Sequence, residues 1–156
     1  MNKLATSLIT ATLITVALNA GELFVKVVPE SLDSVQISLQ ESFEQHKLKQ
    51  VAEVDVFGKM VKAGLPKKMG DQWNTNNLTG LKSIIVCNGK LGMNIANINP
   101  TYAGVCPIKI TMMEDKKGTT ITYMRATGSS NDTKLEAALS ALDNAVIKAI
   151  TTAEYE

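Results

Sequence analysis

Apolar positions change period several times along the chain, and each change marks an element. Residues 22–28 (ELFVKVV) are β-branched and partly alternating until Pro29 stops them, which predicts a strand. Ser31 then precedes Leu32, Val35, Leu39 and Phe43. Those steps of three and four place one apolar stripe on a helix that Ser31 caps and that ends near His46. Residues 49–57 predict a second strand with Ala52, Val54 and Val56 on one face and Val51, Glu53 and Asp55 on the other. A short helix is expected over 58–64. Beyond it Pro66, Gly70, Asn74, Asn76, Asn77 and Gly80 predict a long polar insertion over about 64–80 that holds Trp73. An insertion of that length is either functional or packs its own side chains, and the indole is expected to lie under its own loop.

The continuous apolar run 81–87 (LKSIIVC) reads as a central strand. Asn88 is placed to cap a helix with Leu91, Ile95 and Ile98 inside, ended by Asn99-Pro100. A strand over 105–113 follows, with a hairpin turn at 114–118 (EDKKG) and its mate at 119–125. The last helix starts at Thr133, whose spacing to Glu136 is that of a capping box, and Leu135, Leu139, Leu142, Val146 and Ile150 form its apolar stripe. This order predicts an α+β fold, a ferredoxin-like mixed sheet of about five strands with helices packed mainly on one face. Strand–helix–strand crossovers are expected to leave their strands parallel.

Residues 1–20 stand apart from that pattern. Lys3 precedes an uncharged run over 4–18, and Ala20 offers a small residue before Gly21, as in a secretory signal peptide cleaved after Ala20. Residues 21–156 then form a single domain located in the periplasm or secreted, with no stable membrane span after cleavage.

Composition narrows the chemistry further. The 156 residues carry 16 basic and 15 acidic groups, so no basic stripe suited to nucleic acid is expected. His46 is the only histidine, which removes multi-histidine metal sites within one chain and leaves no metal site assigned. The seven methionines read as core filler.

Two cysteines remain. Cys87 closes one strand and Cys106 opens the next, so with parallel strands the pair is expected about 15 Å apart and unbonded, against the roughly 7 Å a disulfide tolerates. In that arrangement Cys87 sits at a helix start beside Asn88 and Lys90, where amide dipoles and an ammonium favour a thiolate or bind an anion. The alternative is a small buried hydrophobe ending a core strand. Glu53 and Asp55 share one side of their strand and are expected to face Lys90 or Arg125, as paired carboxylates or as a salt-bridged surface.

The helix at 32–43, the runs Glu53-Val54-Asp55-Val56 and Val86-Cys87-Asn88-Gly89-Lys90-Leu91, and Pro107-Ile108-Lys109-Ile110 before an acidic hairpin together resemble the family called domain of unknown function 302, over about 24–150. In that family the second segment commonly reads Cys-Asn-Pro-Lys-Leu, matched here by Cys87, Asn88, Lys90 and Leu91 with Gly89 for the proline. The third commonly reads Pro-Cys-Asn-Val, and here the cysteine has moved to Cys106. The resemblance implies a compact α/β fold, usually a homodimer, with no established reaction and no catalytic residue to assign. The function expected is therefore an exported dimeric binding or accessory domain for a small-molecule or anionic ligand, through Glu53, Asp55, Cys87, Asn88 and Lys90. The rival is a thiol-redox or soft-metal-binding protein that uses Cys87.

Overall fold

A computed structural model describes residues 23–155. The expected signal peptide at 1–20 lies outside the described residues. The elements are β1 (Leu23–Val28), α1 (Leu32–Gln45), β2 (Lys49–Asp55), α2 (Val56–Lys62), α3 (Leu65–Met69), β3 (Gly80–Cys87), α4 (Gly89–Ile98), β4 (Ile108–Asp115), β5 (Gly118–Met124) and α5 (Thr133–Thr152). The fold is α+β, as its alternating periods predict.

The sheet is ordered β1-β5-β4-β3-β2, and each neighbouring pair is antiparallel. This corrects the mixed sheet. β1 and β2 do run the same way after the α1 crossover, but they occupy opposite edges with three strands between them. The second expected crossover fails for a different reason. After α4 a 3-10 turn over Pro100–Val105 lies back against that helix, so the chain re-enters the sheet at the end it left and β4 runs antiparallel beside β3.

One sheet face carries the core. Val28, Ile84, Val86, Ile108, Ile110, Met112, Ile121 and Tyr123 are buried there beneath the predicted stripes of α1 and α5, with Ile95 of α4. Burying each large aliphatic side chain contributes about 1.5–3 kcal/mol, which makes this layer the main source of stability. The other face is more open, with Leu23, Val25, Val27 and Met124 between 50% and 64% exposed.

Several boundaries differ from expectation because a side chain acts as a cap. Asp55 accepts the Gly58 N–H at 2.8 Å, which ends β2 and starts α2 at Val56, ahead of the helix predicted from residue 58. At α5 the cap is Asp132, whose carboxylate accepts from the Lys134 and Leu135 amides at 2.8 and 3.0 Å. Thr133 is thus the first helical residue, and Glu136 instead accepts from the Gly128 and Ser130 amides. Ser31 and Asn88 cap as expected.

The polar insertion is partly helical, with α3 followed by a 3-10 turn at Gly70–Gln72. Trp73 is half-buried against Phe57 of α2, ring centroids 5.7 Å apart, so the indole packs on the helix that precedes the insertion and not under its own loop as expected. The β4–β5 hairpin closes at Gly118, where φ is +127° and an added Cβ would lie 2.2 Å from the Val28 carbonyl oxygen.

A buried carboxylate locks α5 to the sheet. Asp143 accepts the Tyr123 hydroxyl and the amides of Ala126 and Thr127 at 3.0 and 2.9 Å. Burial, then the bond to Asp143, raises the Tyr123 pKa. Burial also raises that of Tyr155. Folded pKa values above the unfolded tyrosine value of about 10 mean that unfolding releases protons in alkali. The expected result is full stability below about pH 10 and a decline above it. Urea unfolding in Tyr155→Phe should show a shallower alkaline decline than wild type, and an unchanged slope contradicts this.

Candidate functional site at the disulfide corner

Cys87 ends β3, one residue past the Val86–Ile108 pair, and Asn88 then caps α4 by accepting the Leu91 amide at 3.1 Å. The chain runs through α4 and its following turn and returns at Cys106, joined to Ile108 through a cis Cys106–Pro107 peptide. Because β3 and β4 are antiparallel neighbours, both cysteines arrive at one end of the sheet. Their Cα atoms lie 5.7 Å apart and the sulfurs are bonded. The two unpaired cysteines expected from parallel strands are therefore corrected. With both sulfurs in the disulfide, Cys87 carries no thiolate in this state.

Gly92 explains how the helix fits over the bond. A Cβ there would lie 3.0 Å from the Cys106 Cβ and 3.2 Å from its Sγ, so the first turn of α4 rests on the disulfide. Glycine within a helix costs about 1 kcal/mol relative to alanine, and this close approach is the reason to retain it. Gly92 and the partnership of Cys106 are the features that sequence reasoning missed. A helical glycine one turn past a strand-end cysteine was the available signal.

Both cysteines and Asn88 are half-buried, while Gly89 and Lys90 are exposed at the rim. Beside Cys106 lies an open hollow whose lining includes Leu23, Val105, Pro107, Lys109, Met124 and Arg125. It is apolar at its walls and carries two cationic side chains. Tyr102 ties the neighbouring turn to the β5–α5 connection, donating to the Ser129 carbonyl at 2.7 Å.

Glu53 and Asp55 are not part of this corner. Asp55 pairs with Lys82 across β2–β3, five residues from Cys87, or about 16 Å along the strand. The two carboxylates share a side, as the alternation predicts, while Val51 falls at a bulge between Gln50 and Ala52. Their cation is Lys82, in place of Lys90 or Arg125. Lys82 contacts Asp33 at 2.9 Å and Glu53 at 3.8 Å, and Gln36 donates to Glu53 at 2.7 Å. The Asp33 hydrogen bond, with the nearby carboxylates, raises the Lys82 pKa. These groups fasten α1 and α2 to the β2 edge.

His46 is likewise bound locally, its ring nitrogens 2.9 Å from the Ser42 carbonyl oxygen and 3.4 Å from the Thr152 hydroxyl. Among the described residues no group of three or more His, Cys, Asp or Glu side chains is arranged to hold a metal ion. No helix among them is long and apolar enough to cross a membrane.

A family model described as "Domain of unknown function DUF302" matches residues 24–153. The chain belongs to this family. The crystal structure of an uncharacterized conserved DUF302 protein from Bacillus stearothermophilus superposes with a TM-score of 0.72 at 17% identity, covering 85% of this chain and 98% of that one. At that identity the likeness shows a shared DUF302 fold. No curated protein matches the chain.

Proposed function

We propose that this DUF302 chain works outside the cytoplasm, periplasmic or secreted, as a small dimeric binding or accessory domain. The single observation that carries the reading is the Cys87–Cys106 disulfide, a bond that persists in oxidising compartments and is rare in reducing ones. The signal-like run at 4–18 supports the same location. Ligand binding is assigned to the corner, with Asn88 and Lys90 at its rim. The adjoining hollow offers Lys109 and Arg125 to a small anionic ligand. Glu53 and Asp55 are left out of the site, since both serve packing at the far end of β3.

Intact mass of the protein from the exported fraction tests the compartment. The expected species lacks residues 1–20 and is two hydrogens lighter than its reduced form. A chain that keeps those residues or carries free thiols defeats the reading. For the ligand, amide shifts on adding inorganic phosphate and acetate should cluster around residues 88–90, 105–109 and 123–126 and weaken in Lys109→Ala.

One observation favours a second reading, a dithiol–disulfide couple. Cys87 directly precedes the capped start of α4, whose free amides would stabilise its thiolate once the bond is reduced. A donor dithiol would attack one sulfur, form a mixed disulfide and leave as its own disulfide, passing two electrons and two protons to the pair. Equilibration with dithiothreitol decides the matter. A potential below about −300 mV marks a structural staple and removes this second reading.

A further inference from the structure

The two edges of the sheet differ. β2 carries a bulge at Val51 and exposed Lys49, Glu53 and Asp55, the devices that keep an edge strand from pairing. β1 has no bulge and no fully exposed charge. Its six residues hold unbroken register with β5 from Leu23–Met124 to Val28–Thr119, with no proline and no bulge. Its one charge, Lys26, is turned to the helix side, where it donates to the Ile150 and Thr151 carbonyls and lies over the Tyr155 ring. On the opposite side Leu23, Val25 and Val27 are 52%, 50% and 64% exposed. Among the described residues no strand pairs with the outer edge of β1.

We infer that β1 pairs antiparallel with β1 of a second copy about a two-fold axis through Val25, joining the two sheets into one. The inference deepens the dimeric part of the proposed function and rests on it. The occupant follows from self-complementarity. Antiparallel partners share a sheet face, so an axis through Val25 sets Val25 against Val25, and Leu23 against the second copy's Val27. On the helix side the same register opposes Phe24 to Lys26, a ring beside a cation. Moving the axis to Lys26 would oppose two ammonium groups, and moving it to Phe24 would leave Val27 without an apolar mate. Only the Val25 register places all three exposed apolar residues in apolar pairs without a like-charge contact.

Sedimentation of the purified protein at about 100 μM, with Val25→Arg beside it, tests the pairing; a micromolar dimer is well populated at that concentration. Wild type should be dimeric, and the variant should dissociate at least about 10-fold more readily, since two arginines would meet on the axis. Unchanged circular dichroism would show that this half-exposed site still folds. Oxidised Val25→Cys should cross-link into covalent dimers, while Lys26→Cys should not. A wild-type monomer overturns the inference and the dimeric reading together. A dimer that survives Val25→Arg, or one that cross-links through Lys26→Cys instead, overturns the β1 pairing alone and leaves the dimeric reading standing.

Discussion

Asp143→Ala should destabilise the fold by about 3–5 kcal/mol, among the largest single losses available to this chain. The carboxylate is 3% exposed and holds three donors at once, the Tyr123 hydroxyl and the Ala126 and Thr127 amides. Truncation removes these bonds and leaves the buried Tyr123 hydroxyl and two part-buried amides without this acceptor, each costing about 1–3 kcal/mol where water does not reach it. Asp143→Asn should lose less, because one side-chain oxygen still accepts. The damage should concentrate where α5 meets the end of β5. Denaturant unfolding of both variants measures the effect, and an Asp143→Ala chain within about 1 kcal/mol of wild type would mean that water or repacking replaces the carboxylate.

Reduction of the Cys87–Cys106 bond, or the double variant Cys87→Ala with Cys106→Ala, should cost about 3 kcal/mol. The bond closes a loop with a sequence separation of 19, and chain-entropy arguments give about that value for a loop of this size. Native contacts add to the loss, because Gly92 brings α4 directly against the sulfurs. The β4 half of the sheet should survive, while α4 and the turn over Pro100–Val105 loosen first. Hydrogen exchange with and without reductant reads this directly. Equal protection of the α4 amides in both states would show that packing alone holds the helix.

The two predictions rest on different kinds of information. The Asp143 network joins residues 16 to 20 positions apart; its place four after Leu139 and three before Val146 puts Asp143 on the stripe of α5, but nothing in that spacing names its partners on β5 and the following loop. The disulfide joins Cys87, which ends its strand as expected, to Cys106, which lies two residues before β4 instead of opening it, and the relative direction of the two strands is the reverse of the one expected. The candidate site was therefore half visible. Cys87, Asn88 and Lys90 do share one helix start, while Glu53 and Asp55 belong to the far end of the sheet.

Local order was written in the chain itself. The stripes of α1, α4 and α5, the caps at Ser31 and Asn88, the apolar β3 run and the α+β class all arise from neighbours within a few positions, so their periodicity survives without knowing the fold. Tertiary structure alone decided which strands meet and in which sense. That choice depended on the turn over Pro100–Val105 folding back on α4, which brought the chain to the same end of the sheet and made a disulfide out of two distant cysteines. Hydrophobic period specifies which face of an element is buried, but carries no record of where a returning segment places the next one.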